Sequence, residues 1–470
     1  MNRVITFITL VIVLPLGAAD WPHWGGGLGR NMVNPDEKNM PTTWDVKTGS
    51  NIKWITELGS LAYGNPVVAG GQIYVGTNND GRYDKAIKGD RGNILCFKEK
   101  DGTFLWQAVH DKLSAGRVND WPRQGICSAI EIEGDRAWYL NNRCEVVCVD
   151  TGGQANGNIG IQDETYQGPD KADIIWSYDM IEELGVFPHN LATSSPLVLG
   201  NRVMLVSGNG VDEGHLNIPS PSSPSFVAFD KTSGELLWEY TVEDRVLHGQ
   251  WSSPSAGTVN GKILVVFPGG DGVLYALNPE TGDLVWQFDC NPKDAEWELG
   301  GYGTKNNLIA TPVFVDGKVY IGVGQDPEHG TGIGHFYCID ASGQGDVTAT
   351  HQVWHRGGQD FGRTMSTAAV AQGLVYVVDL AGMFYCMDAQ TGKLQWQHDL
   401  ESAIWGSPML VDGKIYIGDE NGNINIFAQG KEKKVLGTID MKEPVYTTPT
   451  AANGILYIAT KSKLYAIAME

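Results

Sequence analysis

The sequence is short of positive charge: 34 Lys and Arg stand against 55 Asp and Glu, a formal charge of -21 with a pI near 4.8. Nucleic acids and anionic membrane surfaces are held by clustered cations that displace counterions, so neither is expected as a partner. Long apolar runs are also missing, apart from Val4 to Leu16 near the start. Helical periodicity is absent outside short stretches. No Walker-type loop, HExxH helix or nucleophile-elbow sequence occurs, which leaves nucleotide-binding and hydrolase readings without support. Nor is there a Cys-x-x-Cys-His segment for covalent haem. What is present is 42% hydrophobic and 10% aromatic residues with 60 Gly in 470 residues, enough apolar material for a large core.

The N-terminus reads as an export signal. Arg3 supplies a positive charge, Val4 to Leu16 is apolar, and Gly17-Ala18-Ala19 forms a small-residue end, so cleavage is expected after Ala19. The apolar stretch is shorter than the ~20 residues a membrane-spanning helix needs. No Cys follows it, so lipid attachment is not indicated, and the mature chain is expected in a periplasm or outside the cell with no membrane span. Residues 1–19 are thus a signal peptide, 20–50 an N-terminal extension and 51–470 the folded domain.

Within that domain one pattern recurs eight times. A Ser/Thr-Pro or similar pair opens a short apolar run, followed by Gly, a β-rich run, a polar turn, a Gly-x-h-Tyr-Ala/Cys-h-Asp stretch and Thr-Gly-x-h-h-Trp. The openers are Asn65-Pro66, Ser128-Ala129, Ser195-Pro196, Ser253-Pro254, Thr311-Pro312, Thr367-Ala368, Ser407-Pro408 and Thr448-Pro449. The closing tryptophans are Trp54, Trp106, Trp176, Trp238, Trp286, Trp354 and Trp396. Four short strands fit each unit. Such units cannot bury both faces alone and stack around an axis, which predicts an all-β, eight-bladed β-propeller with four antiparallel strands per blade. The stretch Asn51 to Thr56 resembles an outermost strand with no inner three before it, and the last unit has three strands and no Trp strand. The N-terminal strand is therefore expected to close the ring and remove its open edge.

The repeated segment, as in Phe229-Asp230-Lys231-Thr232-Ser233-Gly234-Glu235-Leu236-Leu237-Trp238, resembles the tryptophan-docking motif of pyrroloquinoline-quinone (PQQ) propellers. That superfamily includes periplasmic quinoprotein alcohol dehydrogenases and the non-catalytic propeller of the outer-membrane assembly machine. The opening Asp20-Trp21-Pro22-His23-Trp24-Gly25-Gly26 is similar to secreted PQQ-like repeat proteins of planctomycete-type bacteria. The resemblance implies PQQ and Ca2+ as cofactors and a separate periplasmic electron acceptor. Its motif is specific for fold rather than function.

A quinone tricarboxylate must be stacked, paired with cations and amides, and placed beside a metal and a base. The segments before each innermost strand converge at one mouth of the channel, and they carry Asn65, Arg123, Gln124, His189, Asn190, His248, Gln250, Trp251, Asn306, Asn307, Arg363, Trp405 and Tyr446. Arg123 and Arg363 are suited to acid groups, the amides to orientation, and Trp251 or Trp405 to stacking. Asp120 is the candidate base. Asp326, Glu328, His329 and His335, together on one inserted loop, are the candidate metal ligands. Acids in Gly270-Asp271-Gly272 and similar turns are better explained by hairpin geometry.

Of seven cysteines, Cys96, Cys148, Cys338 and Cys386 share a third-strand position with Ala228, Ala276 and Ala466, which marks a site for a small buried side chain. Cys127 and Cys144 fall at strand ends expected to meet in one blade, so an exported chain could join them as a disulfide. The adjacent Cys-Cys pair typical of quinoprotein alcohol dehydrogenases is missing. Two functions follow: a quinoprotein oxidising an alcohol, aldehyde or sugar at a polar small-ligand site, or a scaffold that binds an envelope protein or glycan.

Overall fold

The computed structural model describes residues 19–242 and 245–469, so the signal peptide expected over residues 1–19 lies almost wholly outside the described residues. Eight antiparallel sheets form the blades of a propeller. Blade 1 comprises Val67–Ala69, Gln72–Asn78, Arg91–Lys98 and Phe104–Asp111, and blade 2 comprises Glu131–Glu133, Arg136–Leu140, Glu145–Asp150 and Asp173–Asp179. Blades 3 to 7 follow in chain order, beginning at Leu197, Ser255, Val313, Ala369 and Met409. Blade 8 is built from Thr450–Ala452, Ile455–Ala459, Lys463–Ile467 and, antiparallel to the last of these, Ile52–Glu57 from the other end of the chain. The ring closes as the repeat pattern predicts.

The repeat residues have identifiable work. Each of the seven closing tryptophans donates its indole N–H to a backbone carbonyl of the following blade: Trp54 to Glu99, Trp106 to Thr151, Trp176 to Lys231, Trp238 to Pro279, Trp286 to Ala341, Trp354 to Ala389 and Trp396 to Gly430, at 2.9–3.1 Å. The register slips by one residue just before each Trp, a bulge that turns the indole toward the neighbouring blade. Directly across the sheet stand Ala466, Cys96, Cys148, Ala228, Ala276, Cys338 and Cys386 respectively. The small third-strand residue is therefore the cross-strand partner of the docking tryptophan, which explains why Ala and Cys alternate there. Blade 7 inverts the sizes: Gly437 takes the Trp position and Ile426 the small one. An added Cβ on Gly437 would come 3.6 Å from the Thr42 carbonyl, and Trp44 is buried in the cluster that contains Ile426. The extension thus supplies the bulk that blade 7 omits.

The openers form a second ring. Ala129 N donates to Ser195 Oγ (3.0 Å), Ser195 N to Ser253 Oγ (2.8 Å), Thr367 N to Ser407 Oγ (2.9 Å), Ser407 N to Thr448 Oγ1 (3.0 Å) and Thr448 N to Asn65 Oδ1 (2.7 Å). A short side chain with an oxygen acceptor is needed at each step because the buried N–H of the preceding blade has no ladder partner there.

Residues 20–50 are more than a leader to the ring. They touch all eight blades: Trp21 bridges Val68, Pro22 O accepts from Ile132 N, Arg30 donates to Pro196 O, Leu28 O accepts from Ala256 N and Gly29 O from Phe314 N. Met32 N donates to Ala368 O, Met32 O accepts from Leu410 N, and Asn34 Nδ2 donates to Ala451 O. Gly29 cannot be replaced without collision, since a Cβ there would lie 2.3 Å from Phe314 O. Arg30, 1% exposed, also donates to Trp24 O (2.7 Å) and pairs with Glu131 (3.4 Å). The extension is a plug across one end of the channel.

Candidate functional site

The openers, the connectors that precede them and the plug enclose a cavity of about 410 Å³ on the channel axis. Trp24 of the plug faces it, and Ser195, Ser253, Thr311, Ser407 and Thr448 line its wall. One side is aromatic. Tyr63, Trp405 and Tyr446 pack together with ring centroids 5.0–5.5 Å apart. Trp121, Gln124, Asn190, Thr193 and Trp251 also line the cavity, with Asp326 and Glu328 contributed by the blade 5 insertion. Two indole donors are conspicuous: Trp24 Nε1 and Trp405 Nε1 are buried and have no protein acceptor among the described residues.

The structure divides the sequence candidates. Gln124, Asn190, Trp251 and Trp405 line the cavity. Arg123 does not: it is exposed, in the left-handed region at φ 63°, with its N–H on Asp90 and its carbonyl on Asn78. Arg363 is also outside the lining, its Nη1 donating to His329 O at 2.9 Å. Gln250 is buried and donates to Asn209 O and Ser225 Oγ, while Asn306 and Asn307 donate to Ile333 O and Gly249 O. These three amides tie loops together. Asp120 is not placed as a base: it is 1% exposed and is held by Lys112, Leu113 N and Asn142. Burial pushes its carboxyl above the usual range, against the Lys112 charge.

The cysteine pair is corrected. All seven cysteines are free thiols. Cys144, in the hairpin before the third strand of blade 2 at φ 63°, points its Sγ at Ser207 O of blade 3 (3.2 Å), whereas Cys127 faces the cavity. The two side chains serve different surfaces, and burial pushes the Cys127 thiol up to about 12.

Beside the cavity, behind Trp251, the structure assembles a histidine cluster that the sequence only hinted at. His189 and His248 come from the connectors into blades 3 and 4, and His215 from the long blade 3 insertion. His215 Nε2 lies 3.2 Å from His189 Nε2 and 3.3 Å from His248 Nε2. Asp326 stands 2.8 Å from His248 Nδ1 and 3.1 Å from His329 Nδ1. Burial favours a neutral Asp326, but the two imidazoles hold its carboxyl well below the usual range. His329 is opposed by burial and yet raised, because Asp326 and the Gly300 carbonyl both accept from its ring. Burial, with His248 nearby, lowers His189 to about 3, and burial lowers His215 in the same direction. His335 is elsewhere, its Nδ1 3.1 Å from His355 Nε2 on blade 5. His215 and Tyr302 were not signalled by the repeat, since both sit on insertions with no counterpart in other blades.

With this geometry established, known proteins place the fold. The family model described as outer membrane protein assembly factor BamB matches residues 169–358 and 343–467. The chain belongs to that family. Among curated relatives it is 24% identical over 283 residues to the BamB of Moranella endobia, covering 58% of this chain and 62% of that protein. It is 30% identical over 162 residues to the alcohol dehydrogenase (quinone) dehydrogenase subunit of Gluconobacter oxydans, covering 33% of this chain and 18% of that protein. The solved structure of BamB from Moraxella catarrhalis aligns with a TM-score of 0.56 at 14% identity, over 88% of this chain and 98% of the other. The propeller is thus shared with assembly factors and quinone-dependent dehydrogenases alike. Among the described residues no helix is long and apolar enough to cross a membrane.

PQQ does not fit this cavity. Three carboxylates call for cations, yet no Lys or Arg lines it and two acids, Asp326 and Glu328, do. The neighbouring groups close enough to hold an ion are mostly imidazole, with Asp326 the one carboxylate, whereas Ca2+ takes about six to eight oxygens.

Proposed function

We propose that this chain is an exported binding propeller whose cavity takes a neutral, polyhydroxylated ligand such as a sugar unit of a glycan. The observation that carries the reading is the lining: aromatic residues Tyr63, Trp251 and Trp405, amides and hydroxyls between them, and no Lys or Arg. Sugar rings stack their C–H faces on indoles and exchange hydrogen bonds with just such groups. The acids disfavour anionic ligands and accept from hydroxyls. Oxidation of that ligand by PQQ is set aside, because neither candidate arginine lines the cavity and the candidate base Asp120 is buried against Lys112, Leu113 N and Asn142. A second reading, a scaffold for an envelope protein, is supported by the assembly-factor family and by the exposed Leu216, Trp297 and Tyr302 on insertions.

The test is titration of the signal-free chain with neutral and uronic-acid oligosaccharides, read by tryptophan fluorescence and calorimetry. Saturable binding of a neutral member, weakened at least tenfold by Trp405→Ala, supports the cavity. Binding that survives Trp405→Ala and Trp251→Ala, or no binding across the panel, overturns it.

A further inference from the structure

The histidine cluster does not belong to the cavity lining, and its chemistry is different. We infer that His189, His215 and His248 form a binding site for an imidazole-preferring divalent transition metal, Zn2+ or Cu2+. His189 Nδ1 lies 2.8 Å from the Val211 carbonyl, which can only accept, so that nitrogen carries the proton and Nε2 is a lone pair. His248 Nδ1 lies 2.8 Å from Asp326 Oδ2 without an aligned hydrogen bond, and a bare nitrogen lone pair that close to a carboxylate would be repelled, so the proton is placed on Nδ1 there too. His215 Nδ1 lies 3.2 Å from Tyr302 Oη, a group able to accept. Three Nε2 atoms therefore converge, at least two of them as bare lone pairs, and something electropositive belongs between them.

The spacing matches a metal. With Zn–N bonds of about 2.0–2.1 Å, neighbouring nitrogens of a tetrahedral site stand about 3.3–3.4 Å apart. The observed separations from His215 Nε2 are 3.2 and 3.3 Å. Each imidazole already has an outer partner that fixes its ring, Val211 O, Tyr302 Oη and Asp326, the arrangement by which ligating histidines are oriented. The backbone nearby is cleared for them: a Cβ on Gly210 would come 2.7 Å from His189 Cβ, and one on Gly300 would come 2.5 Å from His215 Cβ.

A second group, His248 with Asp326 and His329, is also close enough to hold an ion. It is better explained without one. Both His329 nitrogens face acceptors, Asp326 Oδ1 at 3.1 Å and Gly300 O at 2.6 Å, so the ring has no lone pair to give and acts as the cation that balances Asp326. The metal site is therefore three imidazoles converging through Nε2, with an open fourth position. That set selects Zn2+ or Cu2+ over Ca2+ and Mg2+. A bound ion would fasten the His215 loop to the connectors into blades 3 and 4.

The test uses the metal-stripped, signal-free chain. Zn2+, Cu2+ and Ca2+ are titrated by calorimetry, and Co2+ is added as a spectroscopic probe. One equivalent of Zn2+ or Cu2+ per chain, no saturable Ca2+, and the visible absorption of tetrahedral Co2+ are expected. His215→Ala should weaken binding at least 100-fold. It sits on a half-buried loop residue and leaves circular dichroism unchanged. Asp326→Asn should weaken binding 10–100-fold, as loss of an outer partner does, and His335→Ala should have no effect. Less than a tenth of an equivalent bound, or affinity unchanged in His215→Ala and in His248→Gln, would overturn the assignment.

Discussion

The pairing of each docking tryptophan with a small cross-strand residue can be tested as a size exchange. Trp286 is fully buried, donates to Ala341 O at 3.0 Å and stands opposite Ala276. Replacing it by glycine should cost about 3–6 kcal/mol, from ~3–5 kcal/mol for losing a buried Trp and up to ~1 kcal/mol for Gly in a strand. Ala276→Ile alone overfills the space beneath the indole and should cost about 1–3 kcal/mol. In the glycine background the same isoleucine enters a cavity, and its three extra carbons recover up to ~2.4 kcal/mol at ~0.8 kcal/mol each. The double variant then reproduces the Ile426 and Gly437 pair of blade 7. Urea unfolding of the four proteins by circular dichroism at one m value should give a coupling of at least about 2 kcal/mol in favour of the pair. Additivity within ~0.5 kcal/mol would refute cross-strand size compensation as the reason for the pattern.

Other consequences follow from the plug, the thiols and a buried histidine. Arg30→Ala removes the donors to Pro196 and Trp24 and one of the two partners of buried Glu131, leaving His23, so it should cost up to about 3–5 kcal/mol and make residues 20–50 the first segment cut in limited proteolysis; unchanged cleavage would contradict the plug. Alkylation in denaturant without reductant should label all seven cysteines, and mass spectrometry finding only five would mean that a disulfide forms after all. His110, hydrogen-bonded to Tyr139 Oη and Asn141 and held near 4 by burial, stays neutral in the fold while the unfolded chain protonates near ~6.5. Its contribution is complete above that value and is lost as pH falls from about 6.5 to 4, by roughly 3 kcal/mol; His110→Asn should flatten the slope of stability against pH over this range, and an unchanged slope would show that His110 is not its source.

The sequence and the structure agree where a residue's role repeats. The openers and the seven tryptophans are legible because their copies meet recurring neighbours: every tryptophan a carbonyl one blade on, and six of the eight openers an N–H one blade back. The same logic fails where roles are unique. Blade 7 has no docking indole, and Trp44 of the extension packs instead into the core cluster that contains Ile426, with its N–H on Met441 Sδ, a contact that no local pattern records. Arg123 and Arg363 sit in the correct connectors, but a positive φ at the first and the His329 carbonyl at the second turn them from the cavity. The repeat pattern places His189 and His248 at the mouth, and the inserted loop brings His329 beside Asp326. The partner that joins the first two, His215, lies in an insertion whose path only the fold determines.

The proposed function requires that this propeller share its ring with quinone-dependent dehydrogenases and yet take a neutral ligand in a cavity lined by aromatic side chains and no Lys or Arg. Calorimetric titration of the signal-free chain with PQQ in the presence of Ca2+ tests it most directly. No saturable heat is predicted, with or without Arg363→Ala. Stoichiometric PQQ binding that Arg363→Ala weakens would contradict the account, because it would place a cation against the cofactor where the structure places none.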